Sequence, residues 1–296
     1  MASLRNLIMA AAGGEVSLTR AELNTLINAG ADISGANVSE ITDFSSLLVS
    51  KYSNSFNQDI SGWDVSSATN MSNMFKGQES FNQDIGSWTV SSVTNMYGMF
   101  WNCFAFNQDI NSWNISEVNN VLYMFREALA FNQSLNSWDV SGLTDMTGFF
   151  QDSGMNGNIS SWDVSNVTNM ATMLHGTDFN QDISSWDVGN VAQFASFIKN
   201  NTVFNQDISG WDMSSATEVG GMFSGTSAFN QDISGWDMSN TYNMSWLFYN
   251  TTSFSQDLSG WDVSSMGSNC DYFRGGTSII SCAQVPDLPN SCTGCG

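Results

Sequence analysis

The chain has 296 residues, of which 12% are charged, and 28 acidic side chains against seven Lys and Arg give a formal net charge of −21. Such a balance is repelled by phosphate backbones and anionic membranes, so no nucleic acid partner is expected. No apolar run reaches the ~18 residues of a membrane-spanning helix, and 42% apolar residues in strict period argue for packing rather than disorder.

Residues 1–30 stand apart from the rest of the chain. Met1–Gly14 carries Arg5 and the apolar run from Leu7 to Ala12, which has the outline of a signal peptide but too short an apolar core, so no export signal is expected. Ser17–Gly30 reads as a helix. Thr19 is placed to cap it, with Glu22 three residues on and Gly30 as the stop. Leu23, Leu26 and Ile27 fall on one face at helical spacing. This segment is expected to cover the first end of a repeat array, or to dock to a scaffold or to copies of itself.

From residue 31 to 274 the sequence repeats. Trp63, Trp88, Trp113, Trp138, Trp162, Trp186, Trp211, Trp236 and Trp261 lie 24 or 25 residues apart, the period of arrays with one short unit per coil. Columns are numbered from this Trp, +n toward the C-terminus and −n toward the N-terminus. Ile60, Trp63 and Val65 alternate as in a strand, with Trp63 and Val65 inward and Asp64 outward. Met71, Met74 and Phe75 share the i, i+3, i+4 spacing of a short helix, which Ser66 is placed to cap. The −6 column is Asn in eight copies and the −5 column Gln in eight, a pattern suited to amide ladders between stacked coils.

The unit Phe-Asn-Gln-Asp-Ile-Ser-x-Trp-Asp-Val-Ser-x-Val-Thr-Asn-Met-x-x-Met-Phe resembles that of the BspA-type leucine-rich-repeat (LRR) surface proteins. The resemblance implies an α/β repeat solenoid, LRR-like, with a parallel β-strand ladder on one side, short helices on the other and a cap at each end. It also implies surface display, with adhesion or protein binding as the role. Similar repeats occur in phage and other virus sequences. No lipoprotein cysteine stands near the N-terminus, which tips the expectation from a bacterial cell-surface adhesin toward a virion component, a capsid decoration or tail-fibre domain. The expected partner is a protein or glycan surface.

Two columns carry candidate chemistry. The +1 column is Asp without a break from Asp139 onward, and its last five members, Asp163, Asp187, Asp212, Asp237 and Asp262, are the candidate strip. One reading is a strip that binds Ca²⁺; the favoured one is that each Asp holds an Asx turn. The +13 column reads Lys76, Trp101, Arg126, Gln151, His175, Lys199, Ser224, Tyr249 and Arg274, gathering four of the seven basic residues and the single His. Cations closing a helix C-terminus account for it in one reading, and a basic and aromatic partner-binding edge in the other. The candidate contacts are Trp101, Tyr123, Arg126, His175, Lys199, Trp246 and Tyr249.

Catalysis finds no foothold: one His serves no relay, and the Ser residues belong to the repeat. The expectation is a non-enzyme without an obligatory cofactor. Residues 275–296 read as a Cys-containing cap or tail. Cys270, Cys282, Cys292 and Cys295 are candidate disulfide partners, or less favourably zinc ligands.

Overall fold

A computed structural model of the chain describes residues 16–49, 51, 54–266, 273–275 and 286. Helix α1, Arg20–Asn28, is capped as its sequence demands: the Thr19 hydroxyl accepts from the Glu22 amide, and the Glu22 carboxylate accepts from the Thr19 amide. Gly30 adopts a left-handed φ of 66°, and the Ala31 amide returns to the Leu26 carbonyl. Leu23, Leu26 and Ile27 are buried in the core that runs on into the repeats. The Arg20 guanidinium donates to the carbonyls of Asp43 and Ser45 in the first repeat.

Successive copies lie side by side in parallel, one period apart. Single-residue bridges join the +7 positions, Asp43 to Asn70, Asn70 to Asn95 and Asn95 to Asn120, and resume from Asp145 as far as Asn243. The strand expected through Ile60–Val65 and the helix expected through Met71–Phe75 are both absent; each stretch is a series of turns. Apart from α1, the regular elements among the described residues are β1, Phe248–Tyr249, and β2, Arg274–Gly275, paired in parallel.

The physical reason lies in how the backbone polar groups are satisfied. From +8 to +14 every second amide crosses to the next copy: Met71, Asn73, Phe75 and Gly77 donate to the carbonyls of Asn95, Tyr97, Met99 and Trp101. The amides that follow Asn73, Phe75 and Gly77, those of Met74, Lys76 and Gln78, turn back to the carbonyls of Met71, Asn73 and Phe75. Alternation of this kind needs left-handed residues. Position +10 supplies one in each copy, from Asn73 (φ 54°) to Trp246 (φ 64°), and +14 a second, from Gly77 (φ 78°) to Asn250 (φ 56°). A right-handed helix cannot run through two such residues.

Side chains join the copies on the other part of the repeat. All nine indoles are buried, each donating Nε1–H to a carbonyl of the preceding copy, as Trp88 does to Ile60 (3.2 Å) and Trp138 to Ile110 (2.9 Å). Neighbouring rings stack, Trp63 on Trp88 with centroids 6.5 Å apart. The amide columns form the expected ladder in a specific form. Asn57 Oδ1 accepts both the Asn82 amide (3.0 Å) and Gln83 Nε2 (2.9 Å), and the arrangement recurs copy after copy. Two periods are 24 residues. In the first of them the copies close up at Gly157, where a Cβ would lie 2.0 Å from the Gln133 carbonyl oxygen.

Inside, Phe and Met columns stack in register, Phe75 on Phe81 at 4.0 Å and on Phe100 at 5.6 Å. Buried polar side chains at +15 satisfy carbonyls of the preceding copy: Thr226 Oγ1 donates to Ile198 and Thr251 Oγ1 to Phe223. Cys103 occupies the same column, its Sγ–H donating to the Phe75 carbonyl, and burial pushes its thiol well above the ordinary range. It is a core residue. Cys270, Cys282, Cys292 and Cys295 lie outside the described residues.

Candidate functional site

Three Asx turns mark the corners of a repeat. Asp59 accepts from the Ser61 amide, Asp64 from Ser66 and Asn70 from Ser72. The +1 carboxylates all take this role: Asp163, Asp187, Asp212, Asp237 and Asp262 accept the amides of Ser165, Gly189, Ser214, Ser239 and Ser264. Asn114 substitutes for Asp at the same corner. Hydrogen bonds from Ser165 hold the Asp163 carboxyl below its usual range, and those from Ser214 do the same for Asp212. Among the described residues, no three His, Cys, Asp or Glu side chains converge as a cation site. A shallow depression of about 500 Å³ lies between two such corners, lined by Asp109, Asn111, Ser112, Trp113, Asn114, Ser137 and Asp139. Its polar lining is partly paired, Asn111 exchanging hydrogen bonds with Ser137.

The +13 column has a different physics from the one its sequence suggested. No helix ends there, so no helix carbonyls await a cation. Instead, Lys76 Nζ lies 3.4 Å from the centroid of the Trp101 ring, and Arg126 Cζ lies 4.8 Å from it. These residues come from three successive copies and form a cation–aromatic–cation stack, a contact worth about 0.5–1 kcal/mol per cation at exposed sites. Arg126 also pairs with Glu127 at 3.2 Å. Burial, and next the positive charge of Arg126, hold the Lys76 ammonium below its ordinary value.

Two tyrosines extend this cluster. Tyr123 lies 5.8 Å from Trp101, and Tyr97 meets Tyr123 edge-on at 6.1 Å. Tyr123 occupies the left-handed +10 position, φ 55°, a conformation that costs a bulky residue of order 1–3 kcal/mol. Its ring lies where the next +10 residue would place a side chain; that residue is Gly148, whose Cβ would meet the ring at 2.2 Å. Tyr97 was not among the sequence candidates. The available signal was an aromatic at +9, where most copies have Ser, Thr, Ala or Gly.

The remaining candidates do not join this cluster. His175 Nδ1 lies 3.1 Å from Asp152 Oδ1, and Lys199 is half-buried one copy further on. Trp246 and Tyr249 form a separate edge-to-face pair at 4.7 Å, five copies beyond the one holding Tyr123 and Arg126. Of the proposed docking segment, residues 1–15 lie outside the described residues, and the apolar face of α1 is covered by the first repeat.

Residues 19–138, 124–224 and 178–282 each match one family, described as Mycoplasma protein of unknown function, DUF285. The chain belongs to the DUF285 family. The three matches overlap and together span 19–282, the stretch in which the indole and amide ladders repeat. No curated protein matches the chain. Among the described residues of this DUF285 protein, no helix is long and apolar enough to cross a membrane.

Proposed function

We propose that this DUF285 chain is an LRR-like solenoid of the BspA type, displayed on a surface, whose rigid stack presents side chains to a macromolecular partner without catalysis. Within that class we assign it to the surface of a virion, as a capsid decoration or tail-fibre domain. The observation that carries the reading is the Lys76–Trp101–Arg126 stack with Tyr97 and Tyr123. The repeat has no need of these side chains, since other copies stack with Ser, Gly, Thr or Gln at the same columns. Aromatic and Arg side chains grouped on a firm base are what partner contacts are built from.

The test is location. Antibody against the folded chain, used with gold labelling on purified particles and on intact cells, is expected to decorate the particles. Label confined to the cell envelope would replace the virion assignment with a cell-surface adhesin. Label found only inside disrupted cells would overturn surface display altogether.

A further inference from the structure

The partner's chemistry follows from where the chain's charges are left unbalanced, given that the Lys76–Arg126 edge is the contact surface. Lys76 has no carboxylate within ion-pair distance among the described residues, and Arg126 has only its neighbour Glu127. Both belong to a chain with four acidic residues for every basic one, 28 against seven. At the +1 corners the imbalance is reversed. Asp163, Asp187, Asp212, Asp237 and Asp262 are exposed at successive copies.

We propose that the Lys76–Trp101–Arg126 edge of one molecule docks on the Asp163–Asp262 strip of a second copy. The interval favours a second copy over an unrelated acidic surface, and of the two acidic columns of this chain the +1 column has the longer run, six successive Asp against four at −4. Lys76 and Arg126 stand in the same column two copies apart, and so do Asp187 and Asp237, or Asp212 and Asp262. Both columns are carried by one repeat with one rise, so the backbone positions that bear cations and carboxylates match in spacing whenever two stacks lie side by side. An unrelated acidic partner has no reason to share that interval. The two columns lie on stretches of the repeat separated by the +7 corner, so one molecule presents both. The contact is therefore heterologous and builds a ring or an open row of molecules.

Sedimentation equilibrium of the whole chain tests this. Wild type is expected to associate with concentration, and two variants are expected to lose at least tenfold in affinity: Lys76→Gln with Arg126→Gln, and Asp187→Asn with Asp212→Asn and Asp237→Asn. The second set is the sharper one, since Asn114 shows that Asn keeps the corner, and removing negative charge would strengthen a non-specific association. Asp182→Asn with Asp207→Asn and Asp232→Asn, at the −4 corners, is expected to leave association unchanged. Near-ultraviolet circular dichroism of the indoles confirms that each variant is folded. A wild type that stays monomeric up to about 0.5 mM overturns the proposal, as does association that either charge set leaves intact. Binding of poly-glutamate through Lys76 and Arg126 without self-association would also overturn it, in favour of a separate acidic ligand. None of these results decides where the protein is displayed, which the labelling experiment reads independently.

Discussion

The two parts of each repeat hold neighbouring copies together by different means. From −6 to the Trp, side chains make the bonds: Asn and Gln amides and the indole Nε1–H reach backbone atoms or side chains of the adjacent copy. From +8 to +14 the backbone makes them by itself. The consequence for sequence is direct. Where side chains bond, residue identity is held: Trp in nine copies, Asn in eight, Gln in eight. Where the backbone bonds, side chains are released from that duty, and +9, +10 and +13 vary from Gly to Trp. Binding side chains can be placed on that second part without loosening the stack.

The largest test of this contrast is at an indole in mid-stack. Trp138→Ala is expected to cost about 3–5 kcal/mol in chemical denaturation, through a cavity between stacked rings. Trp138→Phe keeps most of the bulk but removes one of the two donors to the Ile110 carbonyl, the Trp113 amide remaining, for a loss of about 0.5–1.5 kcal/mol. If Phe proves as stable as Trp, the side-chain bonds on this part are not what holds identity. On the other part, Tyr123→Gly removes a large ring yet relieves a left-handed residue. Its stability should stay within about 1 kcal/mol of wild type, although the aromatic cluster is gone. A loss as large as that at Trp138 would erase the distinction between the two parts.

The smallest effect is expected at the corners. Asp163→Asn should lower the thermal midpoint by about 1 °C, because an amide oxygen accepts the Ser165 amide but less strongly than a carboxylate, whereas Asp163→Ala should lower it by about 2 °C. The corner also has a pH signature. The Asp163 carboxyl is held below its ordinary value of 3.8 by hydrogen bonds from Ser165. Its contribution is therefore complete above that value and is lost as pH falls through the lower folded-state value. Thermal melts between pH 5 and pH 2 are expected to show wild type converging on Asp163→Ala. Parallel curves down to pH 2 would mean that the carboxylate form does not stabilise the turn.

How far the sequence could be read follows the same division. The period, the burial of the indoles, the amide columns and the Thr19 capping box were all legible, because in each a side chain does the structural work and leaves a recurring identity. The strand and helix expected within the repeat were misleading patterns. The alternation of Trp63, Asp64 and Val65 comes from an Asx corner that turns one side chain out between two buried ones. Met71, Met74 and Phe75 face inward at helical spacing although the intervening residue, Asn73, is left-handed. The sign against a helix was present: Gly98, Gly148 and Gly221 recur at +10, and Gly77, Gly176 and Gly225 at +14, with Asn in other copies. Two Gly- and Asn-rich columns four residues apart do not belong inside a helix. The Lys76–Trp101–Arg126 stack was half legible. Its column stood out for charge, but which residues meet depends on the rise between copies, and a single repeat does not contain that distance.

Arg20 reaches the carbonyls of Asp43 and Ser45, and the corresponding carbonyls of a later copy, those of Asn95 and Tyr97, are taken by the amides of Met71 and Asn73. One guanidinium thus takes the place that two backbone amides hold in later copies. A terminator of this kind is indifferent to how many units lie beyond it. Whole copies added or removed in the interior are expected to change the length of the stack while leaving the short helix and its arginine on the same two carbonyls.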